Sequence, residues 1–333
     1  MISVLRAACA AILLASWSGL LSAQGNYPIK PIRIVIGTPA GGGSELMARQ
    51  IGQPLTNAWG QPVVVDPRPV ASGNIAAELV ARSPPDGYTL YVCYGTHTVN
   101  PSLYERVPYD PIRDFSPVTL IAKQFNALTV HPSIPARSVR ELIALAHARP
   151  GKLSYASSGN GSPNHLGTEL FKMTAKLAIT HIPYKGAAPA RIDLLGGHVD
   201  MMFDTLRAAL PYQEAGRIKV LALAGPHRSV LAPQLPTLEE SGLKNIEIVT
   251  WHALLAPSAT PSAIVEKLQS EIRRDLFTPA LRDKLGRDGI EVIASAPAES
   301  STRSCAPTLH AGSESSKRRA YAPISHAASC CNC

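Results

Sequence analysis

The chain has 333 residues, of which 45% are hydrophobic and 17% are charged. This length and balance allow a sizeable core and predict a globular protein of about two domains. The formal net charge is +8, but half of the excess comes from Arg6 and from the segment after Ser300. The rest has no basic stripe with interleaved aromatic residues, which argues against a nucleic-acid partner.

The first residues have the pattern of a secretory signal peptide. Arg6 is followed by an apolar run from Ala7 to Leu21 and then by small residues. The run has about 15 residues, fewer than the ~20 that span a bilayer, so an uncleaved anchor is the weaker alternative. We therefore predict that residues 1–25 are a signal peptide, that the mature chain begins near Tyr27, and that the protein is exported across the membrane.

The six cysteines are unevenly placed. Cys9 lies in the predicted signal peptide, Cys93 stands alone in the body, and the other four are at positions 305, 330, 331 and 333. They supply no disulfide framework for the body. The terminal Cys-Cys-Asn-Cys sequence lacks the spacing of a tetrahedral metal site, and no histidine pattern completes it. We therefore expect no metal and no cofactor.

Strands and helices alternate along the first part of the chain. Residues 32–36 form a β-branched run, residues 37–44 a loop rich in glycine, and residues 45–59 an apolar pattern with helical spacing. The same alternation predicts further strands at residues 62–66, 88–94, 115–121 and 127–130 and helices at residues 74–81 and 139–148.

A second cycle with the same organisation begins after Pro150 and Gly151. Residues 153–156 are predicted as a strand, residues 157–163 as a polar glycine loop and residues 164–175 as a helix. Strands that alternate with helices imply a mostly parallel sheet covered on both faces, which is the α/β class. Further strands are predicted at residues 179–182, 201–203 and 220–224, with helices at residues 187–195 and 206–215.

Two apolar strands that end at proline before a helix divide the chain. They lie near residues 127 and 251. As crossover strands they would make the first domain discontinuous. We therefore predict one lobe from residues 26–126 and 250–296 and a second lobe from residues 127–249.

The first glycine loop has the composition of an anion-binding site. Glycine lets main-chain N–H groups approach a ligand, and the loop precedes a helix whose N-terminal dipole end favours anions. It lacks the ending of a nucleotide-binding P-loop and the spacing of a dinucleotide fingerprint, so a carboxylate or phosphate suits it. Its candidate ligand contacts are Thr38, Pro39, Gly41, Gly42 and Gly43.

A matching loop follows the first strand of the second cycle. Because ligands of open α/β sheets lie at the carboxyl ends of the strands, the two loops could hold the two ends of a small anion across a cleft. For Asp204, capping of the next helix is an equal alternative to ligand binding. The candidate contacts here are Ser157, Ser158, Gly159, Asn160, Gly161 and His165, and Ser72, Thr96, Tyr184 and Asp204 complete the set.

A hydrolase that uses Ser158 and His165 is the enzymatic alternative. No Gly-x-Ser-x-Gly nucleophile elbow accompanies His165, and a hydrogen-bonding or capping role is the simpler interpretation. We predict no catalytic residue and no enzyme activity. A sensory module that signals to a partner kinase shares the same binding chemistry and stays open from the residues alone.

Several segments together resemble the substrate-binding receptors of tripartite tricarboxylate transporters, the Bug-type receptors. The resemblance covers residues 27–296. The segments that carry it are Tyr27-Pro-Ile-Lys-Pro-Ile-Arg-Ile-Val, the first glycine loop, Gly60-Gln-Pro-Val-Val-Val, Gly73-Asn-Ile-Ala-Ala-Glu, Pro85-Asp-Gly-Tyr-Thr-Leu, Tyr155-Ala-Ser-Ser-Gly-Asn-Gly-Ser, Pro183-Tyr-Lys-Gly and Asp193-Leu-Leu-Gly-Gly-His-Val-Asp.

The resemblance implies a periplasmic receptor of the Venus-flytrap type II fold, with two α/β lobes. Such a receptor captures a small carboxylate, whether a di- or tricarboxylate, an acidic amino acid or an aromatic acid, and hands it to a membrane permease. The carboxylate is held mainly by main-chain N–H groups and bridging water. We expect a monomer with a small-molecule ligand and a permease as partners.

The sequence departs from the family pattern at two positions and at its end. Glu45 stands where the family usually has aspartate and Val70 where it usually has glycine, and either could alter selectivity. The segment up to about residue 294 is predicted as helix followed by a short strand at residues 290–293. Family members then continue into a long final helix. Residues 297–333 instead lack hydrophobic periodicity, which predicts a disordered tail and suggests a frameshift.

Overall fold

A computed structural model describes residues 27–287 and 289–295. The predicted signal peptide, residues 1–25, and the predicted tail, residues 297–333, lie outside the described residues. Within them, ten strands form one sheet that nine helices flank. None of these described helices has the length and apolar character needed to cross a lipid bilayer.

The first part of the sheet contains three parallel strands in the order β2-β1-β3. These strands are β1 (Ile32–Ile36), β2 (Val63–Pro67) and β3 (Thr89–Tyr94). The helices that follow them in turn are α1 (Gly43–Trp59), α2 (Asn74–Ala81) and α3 (Thr96–Leu103). Along β1, Ile32, Ile34 and Ile36 pack with α1, whereas Val35 packs on the opposite face with α2. Both faces of this strand are therefore covered.

The centre of the sheet is an antiparallel pair formed by β4 (Phe115–Val130) and β9 (Val249–Pro257). The sequence predicts two strands where the structure has one, because polar residues in its middle indicated a break. Those residues are buried: Lys123 is 8% exposed and Asn126 is 2% exposed. The Asn126 side chain donates to the carbonyl of Ile248 (2.9 Å), which offsets the cost of burying its amide.

The second part of the sheet has its own parallel strands in the order β7-β5-β6, while β7 and β8 both pair antiparallel with the end of β4. The strands are β5 (Ser154–Ser157), β6 (Thr180–Pro183), β7 (Met201–Thr205) and β8 (Lys219–Ala224). The helices are α4 (Val139–Ala148), α5 (Pro163–Ala175), α6 (Ala187–Leu195) and α7 (Leu206–Glu214). The α/β class is confirmed, and the antiparallel pairs make the sheet mixed.

The helical stretch predicted after β9 is two helices, α8 (Ser262–Leu276) and α9 (Pro279–Arg287). Pro279 begins the second helix, because proline is tolerated in a first turn but cannot continue a preceding helix. The short β10 (Glu291–Val292) then pairs with β4. The helix α3 was not predicted, since its threonines, asparagine and Pro101 give no apolar periodicity.

Candidate ligand-binding site

Three loops meet at the carboxyl ends of the first three strands. The first glycine loop (residues 37–42) links β1 to α1, a 3₁₀ turn at Ala71–Gly73 precedes α2, and Gly95 precedes α3. Gly37 and Gly73 touch, since a β-carbon on Gly37 would lie 2.6 Å from the Cα of Gly73. The φ of Gly73 is 88°, which glycine adopts without strain. These two glycines therefore let the loop and the turn approach each other.

Replacing Gly37 with alanine is expected to lower the free energy of unfolding by about 1–3 kcal/mol, the usual cost of overpacking. The new methyl group would meet the backbone of Gly73, which cannot rotate away as a flexible side chain can. Urea unfolding measures the change. Gly286→Ala is the matched control, because Gly286 lies in helix α9 with open space at the β-carbon position and should keep or raise stability. Equal stability of Gly37→Ala and the wild type would contradict this account of the contact.

The helix α1 begins without a side-chain cap. Its N-cap residue is Gly42, and the amides of Gly43 and Ser44 find no acceptor in the part of the chain that the structure describes. The Oγ1 atom of Thr38 is also buried without a partner, and it lies 3.6 Å from the position of a β-carbon on Gly42. These unused donors and the positive end of the helix dipole make the start of α1 favourable for an anion.

Glu45 braces the same loop from within α1. Its Oε2 accepts a hydrogen bond from the amide of Gly41 (2.6 Å), and its Oε1 lies 2.6 Å from the Nη2 of Arg49. The bond from Gly41, followed by that from Arg49, lowers the pKa of the Glu45 carboxyl. The Gly41 amide is therefore used within the loop, and Gly43 and Ser44 are the donors that stay open.

The second glycine loop (residues 158–162) is held by Asn164 in the first turn of α5. The Oδ1 atom of Asn164 accepts from the hydroxyls of Ser158 (2.9 Å) and Ser162 (2.6 Å) and from the amide of Ser158 (3.2 Å). Asn164 is 6% exposed, so these bonds satisfy a buried acceptor. The side chain of Asn164, which is not among the contacts predicted from the sequence, therefore holds the loop in shape.

Other groups of the second loop are also engaged internally. The amide of Gly159 donates to the Oγ of Ser157 (3.2 Å), and the amide of Gly161 donates to the Nδ1 of His165 (3.1 Å). Asn160 is exposed and forms no hydrogen bond with the residues that the structure describes. The second loop therefore offers fewer free main-chain donors than the first loop.

A stack of three rings lies behind the second loop. His165 stacks on His181 with 4.2 Å between ring centroids, and His181 stacks on Tyr155 at 4.7 Å. The Nε2 of His181 lies 2.6 Å from the Oγ of Ser157. Burial lowers the pKa of His165, and burial together with the neighbouring His165 lowers the pKa of His181 to about 4. Both imidazoles are therefore neutral at neutral pH.

The serine–histidine pair of the enzymatic alternative is not formed. The hydroxyl of Ser158 donates to Asn164, and His165 is bonded to a loop amide. The pair that does form is Ser157 with His181, and among the described residues no carboxylate hydrogen-bonds to His181 as a catalytic triad requires.

Tyr184 and Asp204 are engaged with side chains of α6. The Tyr184 hydroxyl donates to the Oδ2 of Asp193 (2.6 Å). Asp204 is 3% exposed and accepts from the Nε (2.5 Å) and the Nη2 (3.0 Å) of Arg191. Its Oδ1 also accepts a hydrogen bond from the amide of Thr205 (2.8 Å), the N-cap residue of the helix α7. The carboxylate therefore combines a buried ion pair with a bond to the start of that helix.

Ser72 and Thr96 belong to the turn and helix beside the first loop. Ser72 has a φ of 54°, which is uncommon for a residue other than glycine, and its hydroxyl lies 2.8 Å from that of Tyr104. The side-chain amide of Asn100 donates to the Ser72 carbonyl (3.2 Å). Thr96 is buried at the start of α3. The helix α3 thus fixes the turn that contacts Gly37.

Each glycine loop contacts the other part of the structure. A β-carbon on Gly186, at the start of α6, would lie 3.8 Å from the Cγ of Pro39, and one on Gly161 would overlap with Leu103 of α3. Pro39 of the first loop and Gly161 of the second loop therefore both lie where the two parts of the sheet meet. The Tyr184 hydroxyl and the Asp204 carboxylate are bonded to α6.

Asn164 and His252 are not among the contacts predicted from the sequence. A polar residue at the start of a helix after a glycine loop is a weak signal for Asn164, since asparagine often bonds to neighbouring backbone and hydroxyl groups. The sequence around His252 resembles an ordinary strand end, and nothing in it indicates that the ring lies against α1. Within residues 27–287 and 289–295, no cluster of His, Cys, Asp and Glu is arranged to hold a metal ion.

Comparisons with known proteins agree with this architecture. The model of the family described as "Tripartite tricarboxylate transporter family receptor" matches residues 47–304. The structure of R. palustris Rpa4515 with adipate has a TM-score of 0.80 and 38% identity over 83% of this chain and 93% of that one. The periplasmic binding protein BugD has a TM-score of 0.75 and 31% identity over 81% and 91% of the two chains. MatC from Rhodopseudomonas palustris with bound malate has a TM-score of 0.75 and 30% identity over 83% and 98%.

A mixed sheet flanked by helices, with glycine loops at the ends of its strands, is the architecture that this chain shares with BugD, and it places the chain in the class of periplasmic solute-binding proteins. This chain belongs to the tripartite tricarboxylate transporter family of receptors. The resemblance read from the sequence motifs is thereby confirmed. The family consists of periplasmic solute-binding receptors and is not a family of enzymes.

Proposed function

We propose that this receptor binds a small dicarboxylate, with one carboxylate at the N-terminus of α1 and the other facing the second glycine loop. The observation that carries the proposal is the group of unused donors at α1: the amides of Gly43 and Ser44 and the hydroxyl of Thr38. A carboxylate supplies the acceptors and the negative charge that these donors and the helix dipole favour.

The remaining candidate residues complete the proposed cleft. Ser72 and Thr96 lie beside the first loop, and Pro39 faces Gly186 across the gap. On the opposite side, Asn160 has an unused side-chain amide. The further contacts that we propose there are Ser157, Ser158, Gly159, Gly161, His165 and Tyr184, with Asp204 acting through Arg191.

We propose that two lobes close around the ligand, one formed by residues 26–126 and 250–296 and the other by residues 127–249. The supporting observation is the strand β4, whose first eleven residues lie beside β9 and whose last five pair with β7 and β8. A bend where the partners change would move one part against the other. Export by the N-terminal signal peptide would place a monomeric receptor in the periplasm, where it delivers the ligand to a membrane permease.

The ligands of two relatives support dicarboxylates as the ligand class. Rpa4515 is seen with adipate and MatC with malate, and both are dicarboxylates. Both proteins share the fold of this chain with 38% and 30% identity. The first ligands to test are therefore adipate and malate, followed by citrate, aspartate and benzoate to separate the remaining carboxylate classes.

A thermal-shift screen of the purified protein tests the proposal. A dicarboxylate at 100 times its Kd should add about 2.7 kcal/mol of stability and raise Tm by several degrees, because it binds only the folded state. Adipamide, which has the length of adipate without its charges, is the control ligand. An equal shift with adipamide, or a cooperative transition that no carboxylate moves, would count against the proposal.

A pair of variants tests whether the ligand binds at the start of α1. Thr38→Val removes the unpartnered hydroxyl at nearly constant shape and is expected to weaken dicarboxylate binding about tenfold, the value of one hydrogen bond to a charged group. Thr260→Val is the matched control, because its hydroxyl is also buried without a partner but follows β9, away from the glycine loops. Isothermal titration calorimetry measures both affinities. Equal weakening by the two variants would argue against binding at α1.

A further inference from the structure

His252 lies in β9 directly beneath the start of α1. Its strand neighbour Trp251 packs on the opposite face of the sheet, with the cluster that includes α2. A β-carbon on Gly43 would lie 3.3 Å from the Cε1 and 3.4 Å from the Nε2 of His252. One edge of the imidazole is therefore in contact with the first residue of α1.

The ring is buried without the hydrogen bonds that a buried imidazole normally has. His252 is 2% exposed, and its Nδ1 is enclosed with no partner. The Nε2 forms no hydrogen bond with the described residues either, but it is not among the enclosed atoms. Burial lowers the pKa of His252 to about 4, so the ring is neutral at neutral pH and carries one N–H. A buried polar group left in this state requires a structural or functional explanation.

Three kinds of donor surround this point. The amides of Gly43 and Ser44 are open, the hydroxyl of Thr38 has no partner, and the Nε2 edge of His252 lies against Gly43. Main-chain, hydroxyl and imidazole N–H groups can all donate to the same anion. No acceptor for any of them is present among the residues that the structure describes.

We propose that His252 contacts the ligand directly, its Nε2–H donating to the carboxylate that the N-terminus of α1 holds. This inference rests on the proposed function and adds a side chain to it. His252 then determines specificity at this end of the cleft, because a ligand with no acceptor there would leave the imidazole unsatisfied. An apolar group in the same place therefore binds poorly.

Calorimetric titration of adipate and malate at pH 7.5 tests the role of His252. His252→Phe keeps a buried ring and removes the donor, and it is expected to weaken binding by roughly 10- to 100-fold. His252→Gln restores a donor and should recover part of the loss. His97→Phe is the matched control: His97 is 1% exposed and its ring lies against Tyr109 and Phe115, so its replacement should leave the affinity unchanged.

The outcomes separate the inference from the proposed function. If the wild type binds adipate or malate and His252→Phe binds as tightly, the inference is wrong and the proposed function stands. If the wild type binds no carboxylate, both are wrong. If His252→Phe does not fold, Gly43→Ala replaces it, since the added methyl would lie 3.3 Å from the Cε1 and 3.4 Å from the Nε2 of His252. Gly43→Ala is expected to weaken binding at least tenfold, and wild-type affinity in that variant would overturn the inference.

Discussion

Replacing Asp204 with alanine is expected to lower the free energy of unfolding by about 3–5 kcal/mol. The carboxylate is 3% exposed and bonded to two nitrogen atoms of Arg191, whose side chain is 18% exposed. Its removal leaves a largely buried guanidinium without a counter-charge. The amide of Thr205 also loses its acceptor, the Oδ1 of Asp204 at 2.8 Å. Urea unfolding at pH 7.5 measures the loss.

The double variant Arg191→Met with Asp204→Leu tests whether the lost stability comes from an unpaired buried charge or from lost side-chain packing. Replacing both charges with apolar groups of similar size should recover at least half of the stability, because the desolvation of the two ions is removed with their attraction. Asp86→Ala is the exposed control, since Asp86 and Lys30 are 40% and 55% exposed, and it should change stability by under about 1 kcal/mol. Similar small losses for Asp86→Ala and Asp204→Ala would contradict the importance of the buried pair.

The order of strands and helices followed from local sequence patterns. The β-branched run in Ile32–Ile36 predicts a strand, and the apolar spacing in Gly43–Trp59 predicts a helix. The glycines between them predict the loop. The break predicted within β4 was wrong because local polarity does not reveal a distant partner. The Asn126 side chain is satisfied by Ile248, which is 122 residues away along the chain.

The position of the glycine loops could be predicted, but their hydrogen bonds could not. Composition made the two loops look equivalent. In the structure, Asn164 and His165 accept from donors of the second loop, whereas the amides of Gly43 and Ser44, directly after the first loop, stay open. The first loop and the start of α1 therefore keep more main-chain donors open than the second loop does, and the choice of side-chain partners, rather than glycine content, makes the difference.

The burial of three histidines could not be predicted from the sequence either. Sequence context gives His97, His181 and His252 no feature that separates them from surface histidines, yet burial lowers the pKa of all three to about 4, helped at His181 by the neighbouring His165. Burial of this kind depends on packing between distant elements. It also has a consequence for stability that can be measured without knowing the ligand.

Stability is expected to fall by several kcal/mol as the pH drops from about 6.5 to about 4. The pKa of each buried histidine is lower in the folded state than the ordinary value of 6.5, so the unfolded chain binds more protons in this range and acid favours unfolding. For a fully buried ring, a pKa of about 4 corresponds to at most about 3 kcal/mol. The half-buried His181 contributes less, because solvent screens its charge.

Urea unfolding at pH 7, 6, 5 and 4.5 measures this dependence. His97→Phe removes one of the fully buried rings and should reduce the slope of stability against pH by about one proton. Carboxyls act at lower pH: the Gly41 amide lowers the pKa of Glu45, whose contribution is lost only below its ordinary value of 4.5. Stability that stays constant from pH 7 to pH 4.5 would therefore exclude the buried histidines as a source of acid sensitivity.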